Sequence, residues 1–215
     1  MKKILLILGI CVTLGACNTK QDVIDGGISS PYYDGNIMQY LRSNEEQWGY
    51  TVQMIERADL TELFEGRVDT AREITFFAPP SFSVHRYLMD LKYKAPEGER
   101  YENIGEMPEA LCRELILKHV VIGKHLKEDM GFRNMDYDIH SPDQNGGTRL
   151  RTIGGCSLIG YREKSAYQGI PDAGPVHMFL YSVTAGRQIP LATPDIQPVN
   201  GVIHALNYGY DFGKI

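Results

Sequence analysis

From Asn36 to Trp48, apolar side chains recur as Ile37, Tyr40, Leu41 and Trp48 on a polar background. That is the stripe of one amphipathic helix with Asn36 as its N-cap. Val52, Ile55 and Ala58 mark a second helix over 51–58. Asp59 can cap a third over 60–65, which Gly66 ends. The period then shifts from that of a helix to that of a strand. Ile74-Thr75-Phe76-Phe77-Ala78 is a β-branched and aromatic run stopped by Pro79-Pro80. Residues 81–91 return to helical spacing, with Phe82, Tyr87, Leu88 and Leu91 expected in the core. Pro108 suits the first turn of a further helix, along which Leu111, Leu115 and His119 recur every fourth residue.

Beyond Lys118 the pattern is mostly that of strands. Val120-Val121-Ile122 begins one, and residues 129–148, rich in Asp, Asn, Gly and Pro, read as a long loop. Gly154-Gly155 separates two β-type runs, 149–153 and 156–159, which is a hairpin signal because such turns need positive φ. Residues 176–183 and 201–206 are the last two strands. Helices first and strands after predict an α+β fold with segregated layers.

The N-terminus has a different logic. Lys2 and Lys3 precede an apolar stretch, 4–14, too short to span a bilayer, which ends in Leu14-Gly15-Ala16-Cys17. Small residues ahead of a cysteine suit a lipoprotein peptidase. The pattern therefore predicts a signal peptide at 1–16, lipidation of Cys17, a polar tether over 17–31, and one domain from 32 to 215. Buried acyl chains at about 0.8 kcal/mol per CH₂ make such an anchor durable. Asn18 follows the cysteine, which favours the outer membrane, with the periplasmic and surface leaflets both left open.

Charge and composition narrow the chemistry. A net charge of −5 without a basic run argues against nucleic-acid binding, since phosphates would be repelled. A hydrophobic content of 43% suffices for a core. Cys112 and Cys156 fit no CxxC redox or zinc pattern; a disulfide between them and two separate buried thiols both remain open. Gly155-Cys156-Ser157-Leu158-Ile159 fails as a nucleophile elbow because Ile159 stands where glycine is needed. There is no Walker loop and no HExxH. Asp136, Asp138 and Asp143 offer oxygen ligands for calcium but lack EF-hand spacing, so a solvated acidic loop is the simpler reading. No pair of carboxylates stands out for glycoside hydrolysis. No catalytic residue, resident metal or cofactor is expected. His119, at the end of an apolar helix face, reads as a hydrogen-bonded core histidine, and Asp195 as a residue closing a turn.

Three blocks in order carry a resemblance: Ile74 to Pro79 followed by a helix holding Phe82, then Ile116 to Lys124, then Pro194-Asp195-Ile196 running into Asn200-Gly201-Val202-Ile203-His204-Ala205-Leu206. With the order of elements over 32–206, they resemble a fasciclin-like domain, in divergent form. The resemblance implies N-terminal helices packed against a strongly twisted wedge of C-terminal strands. It also implies a cofactor-free extracellular adhesion module. In animal members, stretches around a Tyr-His pair and an Asp-Ile pair are linked to cell-surface receptors. Here the latter is Asp195-Ile196, while the former is Lys118-His119 without its aromatic residue. Pro80 also departs from the family pattern. Lipoproteins that join such a domain to this kind of leader resemble those of gut-type Bacteroidetes, whose companions are often nutrient-uptake receptors and glycan-binding lipoproteins.

Two functions follow. The first is a lipid-anchored module that contacts a protein partner at the cell surface. The second is a glycan-capturing accessory of an outer-membrane uptake system. Tyr93, Tyr101 and Tyr137, drawn from thirteen tyrosines, are the candidate sugar platforms because aromatic rings stack on sugars. The aromatic tail 208–212 is expected to cap a sheet edge or pair with a partner strand.

Overall fold

The computed structural model describes residues 30–215. The leader at 1–16, Cys17 and the tether up to residue 29 lie outside the described residues. Residues 31–215 form one unit, and no helix among the described residues is long and apolar enough to cross a membrane.

A short strand β1 (Tyr32–Tyr33) leads into α1 (Ile37–Arg42). Asn36 caps α1 in a capping box: its Oδ1 accepts from the Gln39 amide and the Gln39 Oε1 accepts from the Asn36 amide. The single helix expected over 36–48 is two. Asn44 takes a non-helical conformation, caps α2 (Glu45–Arg57) by accepting from the Gln47 amide, and places Glu45 and Glu46 in the first turn. There their charge suits the positive end of the helix dipole. Trp48 thus belongs to α2, which starts well before the expected residue 51. α3 (Thr61–Phe64) is short. Asp59 does not cap it; Asp59 adopts φ +52° and Leu60 holds the N-cap position without a side-chain bond.

β2 (Ile74–Ala78) is buried at every position. α4 (Ser81–Lys94) follows and runs a turn beyond the expected end. Val84, Leu88 and Leu91 define its inner face, so Phe82, two residues before Val84, points away and is 54% exposed rather than in the core. α5 (Glu109–Leu117), with Pro108 at its N-cap, leads into β3 (Val120–Ile122). After the long loop come β4 (Thr148–Arg151), β5 (Ser157–Lys164), β6 (Val176–Ser182), β7 (Arg187–Ile189), β8 (Leu191–Pro198) and β9 (Gly201–Leu206).

Two sheets result. One has the order β1-β8-β9-β2-β3, and the other is the antiparallel meander β4-β5-β6-β7. The fold is α+β, with one cluster of buried side chains drawn from helices and both sheets. The segregation of layers is incomplete, because the early strand β2 lies between β3 and the last strand β9. β2 pairs parallel with β9 from Ile74↔Gly201 to Ala78↔Ala205 and antiparallel with β3. Alternation along β2 sends Phe76 toward the helices, where it meets Phe64 edge to face, and Phe77 to the other side, where it stacks on His204.

Backbone contact decides two glycines. At the β4–β5 hairpin only Gly155 takes positive φ. A Cβ on Gly154 would lie 2.6 Å from the Lys118 amide nitrogen, and the Gly154 N–H donates to the Leu117 carbonyl. The hairpin tip is thereby docked on the α5–β3 junction. Gly201 has φ +151°, and a Cβ there would lie 1.9 Å from the Ile74 carbonyl oxygen. Its neighbour Asn200 has no positive φ. Asn200 is buried, its Oδ1 accepting from the Ile37 amide at 2.7 Å and its Nδ2 donating to the Phe64 carbonyl at 3.0 Å. One side chain thus joins the start of α1, the end of α3 and the turn before β9.

Candidate functional site

Asp195-Ile196 occupies a β-bulge. β8 advances three residues from Thr193 to Ile196 while β9 moves two, from Ala205 to Ile203. Asp195 takes φ +61° at the extra position. Its N–H donates to His204 Nδ1 at 3.2 Å, and its Oδ1 accepts from the Lys127 amide at 2.8 Å. His204 Nε2 in turn donates to the His125 carbonyl at 2.8 Å, and the His125 amide donates to Thr75 Oγ1, whose hydroxyl donates to the Gly123 carbonyl. Both ring nitrogens of His204 are therefore committed in its neutral form. Burial lowers its pKa, while the His125 carbonyl and the Asp195 carboxylate, 3.9 Å away, oppose that shift. Asp195 thus fastens the 123–127 turn to β8 and β9. Ile196, partly buried, packs against the core.

Lys118-His119 sits elsewhere, at the α5–β3 junction. His119 is fully buried. Its Nδ1 donates to the Leu115 carbonyl at 2.7 Å, its Nε2 accepts from the Tyr210 hydroxyl at 2.8 Å, and its ring stacks on Phe212. Burial lowers its pKa to about 4 and raises that of Tyr210. Lys118 pairs with Glu114 at 2.6 Å one turn earlier on the same side of α5. The aromatic tail is therefore packed on the fold rather than waiting for a partner strand, and its Asp211 pairs with Arg187 of the edge strand β7 at 3.2 Å. Tyr210 and Phe212 are buried over His119, and Arg86 clamps the tail by donating to the carbonyls of Tyr208 and Tyr210 and pairing with Asp211.

The three candidate tyrosines stand in different settings. Tyr93 is 69% exposed on α4, with the Lys92 ammonium 5.4 Å from its ring centre. Tyr101 packs against the core. Tyr137 lies in the long loop, where its carbonyl accepts from Gln144 and Arg133. That loop is ordered around buried Gln144, whose Oε1 accepts from the Asn134 and Gly146 amides. Among the described residues no three His, Cys, Asp or Glu side chains gather as metal ligands, so Asp136, Asp138 and Asp143 do not converge. Cys112 and Cys156 are separate buried free thiols, and Cys156 Sγ donates to the Ile215 carbonyl.

The parts sequence reasoning missed are His125, Thr75, Asn200 and Arg86. Their polar partners lie between 48 and 163 residues away, beyond the reach of any local pattern. The one available signal was His204 and Thr75 standing inside otherwise apolar strands, which demands partners for them.

No family model matches this chain, and no curated protein matches it. Among solved structures the chain is similar to a FAS1 domain pair from the insect cell adhesion molecule Fasciclin I. The TM-score is 0.51 at 16% identity, covering 81% of this chain and 50% of that one. The chain thus spans about half the length of the structure it matches, and the likeness shows that its fold is fasciclin-like.

Proposed function

We propose that this chain is a non-enzymatic adhesion or interaction module of the cell envelope, tethered by a lipid on Cys17 and acting through contact with a protein partner. The observation that carries this reading is the fold shared with a domain pair from a cell adhesion molecule. The state of the reactive groups supports it. His119 and His204 are buried, neutral and fully hydrogen-bonded, and both described thiols are buried, so none is free to act as base or nucleophile. The Asp195 bulge, held rigid by the His204 network, is the proposed contact region, with half-buried Ile196 beside it.

Glycan capture for an outer-membrane uptake system is the second reading, favoured by a cleft beside Lys118 lined with both donors and acceptors. Cross-linking intact cells with a membrane-impermeant reagent tests the first. Expected is a defined protein neighbour joined to the full chain, and release of the chain from the membrane in Cys17→Ala. A chain that is present at the surface yet joins to no protein would overturn it.

A further inference from the structure

A cleft of about 460 Å³ opens between α4, α5 and the C-terminal tail, within the size range of small-molecule sites. Its walls are Ser83, Arg86 and Asp90 from α4, and Glu114 from α5 with Lys118 at that helix's C-cap. Phe212 of the tail also lines it.

Its charges are balanced and already paired. Arg86 meets Asp211 at 3.3 Å, Lys118 meets Glu114 at 2.6 Å, and Asp90 meets Lys94 at 2.6 Å. An anion would face three carboxylates, and a cation would face Arg86, Lys118 and Lys214. Hydrogen-bonding capacity is nevertheless left over. Asp90 and Glu114 use Oδ1 and Oε1 in their pairs, which leaves Oδ2 and Oε2 as acceptors without a described partner. Ser83, fully buried, has a hydroxyl with no hydrogen-bond partner, although it can both donate and accept.

Arg86 also connects the cleft to an apolar shelf. Its guanidinium lies 5.5 Å from the ring centre of Phe82, which meets Tyr208 edge to face at 6.4 Å. These two aromatic residues are 54% and 59% exposed. Large aromatic faces left in water beside such a cleft suit a ligand that is polar at its rim and apolar on its ring face.

We infer that this cleft binds a neutral polyhydroxylated ligand, a hexose unit of a glycan. Asp90 and Glu114 accept from its hydroxyls, Lys118 donates to it, and the Phe82–Tyr208 shelf takes an adjoining ring. Hydroxyls both donate and accept without bringing charge, which is what balanced, partly used ion pairs accommodate. This inference rests on the glycan-capture reading and moves its site away from Tyr93, Tyr101 and Tyr137.

The test is saturation-transfer NMR on the full chain. The probes are D-glucose, D-galactose, D-mannose and N-acetyl-D-glucosamine, with maltose, cellobiose and lactose. The variants Asp90→Ala, Glu114→Ala and Tyr208→Ala all lie at exposed positions, and unchanged thermal melting confirms their folding. Expected is transfer to at least one sugar, weakened about tenfold or more by each variant and retained in Tyr93→Ala. Transfer that none of the cleft variants weakens would overturn the site while sparing glycan capture. No transfer to any of the sugars would overturn both.

Discussion

His119 shows how a residue that looks chemical becomes structural. In an unfolded chain its imidazole takes a proton near 6.5; in the fold, burial holds this to about 4. Above 6.5 neither state binds the proton, and the full stability is present. As pH falls through the window the unfolded state binds more protons, so stability is lost, by about 3 kcal/mol for His119 alone, and levels off below the folded value. His204, lowered in the same direction, adds to the loss. Urea midpoints across this window should fall steadily, and His119→Gln should flatten the fall. A wild-type midpoint unchanged down to pH about 4 would contradict the buried neutral state. Asn200 makes a second residue-scale case. Asn200→Ala orphans the Ile37 amide and the Phe64 carbonyl, for an expected cost of about 2–3 kcal/mol by urea unfolding. Beside Gly201 an asparagine is a common turn former, but the side-chain bonds of Asn200 reach 163 and 136 residues back. Local pattern carries no trace of partners that distant.

At the scale of elements, what was legible was local. β2 and β9 stand where their apolar runs predict them, and so does the Gly154-Gly155 hairpin. The split between α1 and α2 was hidden because apolar spacing continues through Ser43-Asn44, although Asn44 followed by Glu45-Glu46 is itself a helix-start signal. The pairing of β2 with β9 was not legible either, since it joins strands separated by most of the chain. The hairpin tip yields a prediction of its own. Gly154→Val must displace either the tip or the Lys118 backbone, at about 1–3 kcal/mol. Amide exchange at Ile153, whose N–H donates to the Val120 carbonyl, should quicken while β6 stays protected. Equal loosening of both would mean that the tip is not separately docked.

For the molecule as a whole, the layers keep both described thiols out of water. Cys112 and Cys156 should resist a bulky maleimide in the folded chain and both react on unfolding without prior reduction, as peptide mapping would show. Burial also raises the Cys112 pKa, which keeps its thiolate scarce. A mapped link between the two would contradict the arrangement. The candidate sites are less legible than the fold. Sequence resemblance pointed to Asp195-Ile196 and Lys118-His119, and the structure places these apart, the first locking a bulge and the second split between a cleft wall and the core. Protein contact at the cell surface is the central functional claim. Its most direct test is retention of beads coated with the full chain on cells whose surfaces have been shaved with protease or oxidised with periodate. Retention lost to protease and kept after periodate is the expected result. Retention that survives protease and is lost to periodate would contradict protein contact.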